Sequence, residues 1–246
     1  MGVAIEIAGA SAGYDGAPVL LGIDLAVGGG EVLAVVGRSG SGKTTLLRLI
    51  AGTLAPSAGT VRLLGEHPDV ARRAKRIGFV GQNAALHPWR TVLQNVRLPL
   101  EVNPADVEDG PTPDEWVARI GLEAAARAYP HQLSGGMRQR VALARSLVAD
   151  PAILLMDEPL SSLDELTRDD LRLELVDFWG EKRTVVYVTH DIEEAVWLAD
   201  RVITLGGQPA RITGTVPVPL PRPRTPALRR DARFMDLVDA VRGSLA

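Results

Sequence analysis

Apolar and polar positions alternate over the first thirty residues. Ile5 and Ile7 fall on one side, and after Asp15-Gly16 the two-residue period returns in Ile23, Leu25 and Val27. That period predicts strands with one buried face, joined by a turn. Gly28-Gly29-Gly30 breaks the pattern, and Val32–Val36 is then apolar at every position, as a strand covered on both faces would be. Three glycines between positions 37 and 42 follow, then a helical pattern over Thr45–Ala51 that stops at Gly52. Thr60–Leu64 and Ile77–Val80 read as further strands.

Residues 89–150 change character. Turn residues cluster at Asn103-Pro104 and from Asp109 to Pro113, with helical patterns on either side, which predicts a mainly helical section. A second alternation of strand and helix begins with the apolar runs Ile153–Met156 and Thr184–Val188. Behind the second run, Ile192, Ala195, Val196 and Ala199 share one helical face. Strands that alternate with helices predict an α/β fold with a mostly parallel sheet. Pro217, Pro219, Pro221 and Pro223 exclude a helix, so this stretch is expected to run extended over the surface into a short helix near Ala232–Val241. No internal repeat is present.

Composition narrows the function classes. At 246 residues, 46% hydrophobic and 23% charged, the chain is long and apolar enough to fold around its own core. With no cysteine, disulfides, thiol nucleophiles and thiolate zinc sites are excluded, and His67, His87, His131 and His190 are scattered rather than paired. No apolar run approaches the ~18 residues of a membrane span. Met1 to Glu6 resembles no secretory leader, so a cytoplasmic chain is expected. A net charge of −3 counts against a nucleic-acid binder. Lys43, Lys75 and Lys182 are the only lysines among 27 basic residues, so a lysine at position 43 is an uncommon choice.

Gly37 to Thr44 fits G-x-x-x-x-G-K-[ST] between an expected strand and an expected helix. Glycines let successive N–H groups turn inward around a phosphate, and the helix start adds positive charge. Lys43 reaches β- and γ-phosphates in such a loop, and the Thr44 hydroxyl ligates Mg²⁺. Asp157 and Glu158 end the strand that starts at Ile153, which suits a metal-side carboxylate and a water-polarising one. His190 follows another strand and reaches the same sheet edge, although a lone histidine there also serves as a cap. Together these residues predict a Mg²⁺-nucleotide hydrolase, a chemistry many families share. Ser134-Gly135-Gly136 opens a further helix and supplies a second anion-ready terminus; as an N-cap alone, Ser134 accounts for the serine but not for the two glycines.

From Leu133 to Arg145 the sequence LSGGMRQRVALAR resembles the signature motif of the ATP-binding cassette family, and the resemblance covers nearly the whole chain. Gly37–Thr44 is similar to that family's Walker A, Ile153–Glu158 to its Walker B, Ser161–Asp164 to its D-loop, and Thr189-His190-Asp191 to its switch histidine. Gln82 stands at the Q-loop position and Tyr14 at that of the adenine-stacking aromatic. The resemblance implies an ABC ATPase of the P-loop NTPase class: a RecA-like parallel-sheet core, an N-terminal antiparallel β subdomain and a helical signature subdomain. On this reading 1–246 is one ABC domain, with 1–88 and 150–210 as core, 89–149 as helical subdomain and 211–246 as C-terminal extension.

It also implies ATP and Mg²⁺ as cofactors and a head-to-tail homodimer with two shared sites. One chain brings Tyr14, Gly37, Ser39, Gly40, Ser41, Gly42, Lys43, Thr44 and Thr45 to the nucleotide, and its partner brings Ser134, Gly135, Gly136 and Asp164. Glu158, His190, Gln82 and Lys43 are the implied catalytic residues; Thr44, Gln82 and Asp157 are the implied metal ligands. Without spans of its own, such a subunit works from the cytoplasmic face of the membrane on transmembrane permease subunits, and indirectly with an extracytoplasmic solute-binding protein. Trp89, after the Q-loop, is implied as a permease contact or as an anchor of the helical section. Pro88–Val92, His190–Arg201 and the run PLPRPR at 219–224 resemble the branch that imports nitrate, taurine and aliphatic sulfonates. Arg222, Arg224, Arg229 and Arg230 are read as a solvated tail in preference to an anion sensor. A soluble cassette acting on nucleic acid or ribosomes is the competing class; the charge and the lack of long insertions disfavour it.

Overall fold

The computed structural model describes residues 2–102, 110–180, 182–222 and 224–245. The chain forms two compact units, Met1–Arg72 with Lys182–Ala246, and Arg73–Glu181. In the first unit β1 (Val3–Tyr14) and β2 (Ala17–Gly28) pair antiparallel, with Ile5 opposite Val27, Ile7 opposite Leu25 and Ala10 opposite Ile23, all of them buried. The expected two-residue period is the observed one. The turn joining them holds Asp15 at φ 51 and Gly16 at φ 79, the paired left-handed conformation that an Asp-Gly hairpin turn requires.

β3 (Val32–Gly37) is buried at every residue, and α1 (Lys43–Ile50) starts two residues before the apolar pattern begins. β4 (Ala58–Leu63) completes the antiparallel sheet on the free side of β1, and α2 (Pro68–Arg73) follows.

In the second unit β5 (Ile77–Val80) is followed by α3 (Val92–Glu101), α4 (Pro113–Arg119) and α5 (Gly135–Leu147). The section is helical as expected; the turn residues at Asn103-Pro104 and at Asp109 lie outside the described residues. β6 (Ile153–Asp157) runs parallel to β5, pairing Val80 with Met156, and α6 (Glu165–Trp179) follows it. α3 and α4 both pack on α5.

The chain then returns to the first unit. β7 (Thr184–Thr189) lies parallel to β3, placing Thr189 opposite Val36, and β8 (Arg201–Gly206) is parallel on the other side of β3. Between them α7 (Ile192–Leu198) is buried along more than the predicted face, since Glu194 and Trp197 are enclosed as well. β9 (Arg211–Pro217), which the pattern did not suggest, pairs antiparallel with β8. α8 (Ala232–Ser244) is three residues longer than expected.

The tail reading is corrected. Val218, Leu220 and Arg224 are buried, Arg222 is paired with Asp200 at 2.8 Å, and the Arg229 guanidinium lies over the Trp197 ring at 5.9 Å. Proline excludes helix but not packing, and the apolar residues between the prolines seat the segment in the first unit.

Candidate nucleotide site

The phosphate loop leaves the end of β3. Arg38 to Gly40 are exposed, whereas Ser41, Gly42 and Lys43 are buried. Gly42 sits at φ 84 as the N-cap of α1, and no side chain caps that helix. Its first-turn N–H groups therefore face outward with the positive end of the helix behind them, and no acidic residue in that turn opposes an anion. The Lys43 Nζ donates to the carbonyls of Gly37 at 2.8 Å and Arg38 at 3.1 Å, folding the ammonium back over the loop.

Two details fit a phosphate group there. The Ser41 hydroxyl is buried without a hydrogen-bond partner, and a Cβ on Gly40 would meet no atom within 4 Å, so the loop opens outward. Thr44 is exposed and Thr45 buried. Tyr14, at the end of β1, is partly exposed, and its hydroxyl accepts a hydrogen bond from Arg48 of α1 at 3.1 Å, which holds the ring beside the helix that starts at Lys43.

His190 is exposed at the end of β7, adjacent to the strand that delivers Gly37. Its backbone is knotted in place: the Thr189 hydroxyl donates to the buried Glu194 carboxylate at 2.5 Å and accepts from the Asp191 N–H at 3.0 Å. The first unit thus brings Gly37–Thr45 and His190 to the C-terminal ends of the neighbouring parallel strands β3 and β7, where ligands of α/β sheets collect, while Tyr14 comes from the antiparallel sheet and stands beside α1.

In the second unit, Asp157 closes β6, and Gln82 stands exposed two residues beyond β5, so both leave the same ends of paired strands. Glu158 adopts φ 45, a left-handed conformation uncommon outside glycine, and its carbonyl accepts from the Ser161 N–H at 3.2 Å and hydroxyl at 2.9 Å. Strain of this kind gathers at functional sites.

Ser134 caps α5, accepting from the Met137 N–H at 3.3 Å. Asp164 caps α6 through the Thr167 N–H at 3.0 Å and hydroxyl at 2.8 Å. The Thr167 N–H and then its hydroxyl hold the Asp164 carboxyl below the usual carboxylate range. The two caps meet: a Cβ on Gly136 would lie 2.7 Å from Thr167 Cγ2, a separation only glycine permits.

Trp89 does not anchor the helical section. It is 70% exposed, with the His87 ring 5.1 Å away. The anchor is Asn95, fully buried on α3, which accepts from the His87 N–H at 2.8 Å and donates to the carbonyls of His87, Arg90 and Thr91 at 3.0–3.2 Å. Sequence reasoning missed it, although Asn95 between Val92 and Val96 is a polar residue on the buried stripe of α3. Arg145 likewise donates to the carbonyls of Ala84 and Ala85 at 2.8 and 2.9 Å, fixing the chain just after Gln82.

The profile of the ABC transporter family matches residues 20–161. The chain is 42% identical over 227 residues to a bicarbonate transport ATP-binding protein of Synechococcus elongatus, covering 89% of this chain and 80% of that one. It is also 42% identical over 208 residues to an aliphatic sulfonates import ATP-binding protein of Bacillus licheniformis, covering 84% and 80%. Among solved structures, an ATP-binding cassette in a dimeric post-hydrolysis state bound to ADP and phosphate matches with a TM-score of 0.74 and 30% identity, covering 87% of this chain and 98% of that one. With the phosphate loop on one unit, the Ser134 helix start on the other, and relatives of this closeness, the chain belongs to the ABC transporter family as an ATP-binding, ATP-hydrolysing subunit.

Proposed function

We propose that the chain powers an importer of a small oxyanionic solute, with nitrate, taurine or an aliphatic sulfonate as the class of cargo. The relatives named for sulfonate and bicarbonate support a solute of this kind. Among the described residues no helix is long and apolar enough to cross a membrane, which suits a subunit seated on separate permease chains at the cytoplasmic face, with a solute-binding protein acting on the far side. In this reading residues 1–88 and 150–210 are the core, 89–149 the helical subdomain that meets the permease through Trp89, and 211–246 an extension.

The observation that carries the proposal is the pair of anion-ready helix starts, Gly42-Lys43 and Ser134-Gly135-Gly136, in one chain. One phosphate chain needs one such cradle; two in a single chain are accounted for if each serves a different ATP. Two copies then join head to tail. The first copy holds ATP with Gly37 to Thr45, with Lys43 on the β- and γ-phosphates and Tyr14 against the adenine. The second presents Ser134, Gly135 and Gly136 to the γ-phosphate, with Asp164 at the seam.

In hydrolysis Glu158 accepts a proton from water as the water oxygen bonds the γ-phosphorus, and the bond from that phosphorus to the ADP oxygen breaks. His190 donates to the departing phosphate. Thr44, Gln82 and Asp157 would hold Mg²⁺, whose charge offsets that of the β- and γ-oxygens.

Glu158→Gln tests the assignment. It should keep ATP binding, lower turnover by about two to four orders of magnitude, and leave a dimer stabilised by ATP. Unchanged hydrolysis removes Glu158 from the mechanism. Purified from membranes with Mg-ATP, the tagged variant should bring down permease chains; recovery of ribosomes or DNA-bound proteins in their place overturns the transport reading.

A further inference from the structure

The segment behind β9 carries an arginine with an unusual environment. Arg224 is 8% exposed, and its Nη1 donates to the carbonyls of Val196, Trp197 and Ala199 at 2.9, 2.8 and 2.7 Å. These carbonyls belong to the end of α7, where helix geometry leaves the last carbonyls without partners in the helix and where positive charge is favoured. One buried guanidinium thus serves three carbonyls of the terminus. Burial, and then the neighbouring Arg222, lower its pKa to about 10, so it stays cationic at neutral pH.

The neighbouring contacts make the closure rigid. Arg222 donates to the Leu198 carbonyl at 3.2 Å and to Asp200 Oδ1 at 2.8 Å. The other oxygen of Asp200 accepts from the Val32 N–H at 2.9 Å, and the Asp200 N–H donates to the Val32 carbonyl at 2.7 Å. The end of α7 is therefore fixed to the first residue of β3, the strand whose last residue is Gly37.

The opposite end of α7 carries the knot around His190, in which Asp191 Oδ1 accepts from the Glu194 N–H at 3.1 Å and Glu194 in turn holds Thr189. α7 has seven residues, so the two ends are about 10 Å apart on two stiff turns. The helix packs on β3, β7 and β8. Without the guanidinium, three buried carbonyls lose their partner, a loss that a shift of the helix along its axis relieves. That shift carries His190 with it.

We infer that Arg224 is a positioning residue for His190, acting through α7. The inference rests on the reading of His190 as a residue of the hydrolytic site. The tail is then a part of the catalytic unit that sets where the histidine stands, and Arg224 touches no nucleotide itself.

The test uses the full chain and its four histidines. In an imidazole ¹⁵N–¹H spectrum, the His190 signal is assigned with His190→Ala. Arg224→Ala should move the His190 signal and leave those of His67, His87 and His131 in place. It should also lower kcat by about tenfold or more while the KM for ATP stays within about twofold, since misplacing a reacting group by about an ångström costs up to about a hundredfold. Arg224→Lys, which keeps the charge but loses the fork, should fall between. An unmoved His190 signal or an unchanged kcat overturns the role of Arg224. If Arg224→Ala does not fold, Arg224→Lys is judged by the same selective movement. Wild-type hydrolysis by His190→Ala is a separate result: it removes His190 from the site, and the role of Arg224 with it.

Discussion

Two helices in this chain begin at glycine-containing turns, and they are built for different tasks. α1 starts behind Gly42 at φ 84, with no side-chain cap and a buried lysine as its first residue. α5 starts behind Ser134, which already occupies one of its free N–H groups, and neither Gly135 nor Gly136 has a positive φ. In the first helix glycine supplies a backbone conformation, and the N–H groups are left for a ligand. In the second it supplies closeness, letting the first turn of α5 lie against Thr167 at the start of α6. Similar sequence signals thus mark one helix start whose donors no side chain takes up and one whose glycines serve close packing.

The largest expected effect breaks the first half of that contrast. Lys43→Ala removes a charged donor from the loop, and ATP affinity should fall about ten- to a hundredfold, from the 1.5–3 kcal/mol of a charged hydrogen bond. Calorimetric titration with ATP reads this directly, and full affinity in the variant would detach Lys43 from the phosphates.

A smaller effect sharpens the second half. Gly136→Ala gains up to about 1 kcal/mol of helix propensity but crowds Thr167, and overpacking costs about 1–3 kcal/mol. The net should be a destabilisation of about 1 kcal/mol in thermal unfolding. Thr167→Ser deletes the crowded methyl and keeps the hydroxyl bound to Asp164, so the same alanine should cost nothing in that background. An equal loss in both backgrounds would show that closeness is not why glycine is there.

The smallest effect concerns the cap that holds Thr167. Asp164 has a lowered carboxyl pKa, so its charged cap stabilises the fold above the ordinary value of 3.8 and loses that contribution as pH falls through the lowered value. Denaturant midpoints of wild type and Asp164→Asn should therefore differ at neutral pH and converge only below about 3.8. Convergence well above that pH would place the stabilisation elsewhere.

Features set by neighbours in sequence were legible. The alternation in β1 and β2, the turn at Asp15-Gly16, the unbroken run of β3 and the loop before Lys43 each depend on residues a few positions apart. What depends on remote partners was not. Arg224 reads as a solvated arginine among prolines because the carbonyls it serves lie 25 to 28 residues earlier. Asn95 drew no reading because its four bonds go to a loop whose path the sequence does not display. β9 alternates only between exposed and half-buried residues, so its pattern carries little contrast.

The clasp of Asn95 on the 87–91 loop has an optical consequence. Of the four tryptophans, Trp116, Trp179 and Trp197 are enclosed, and Trp89 alone stands in water. Iodide in the solvent therefore quenches one indole and spares three. The quenchable share of the protein's ultraviolet emission is a label-free gauge of whether that loop is covered, already written into the chain.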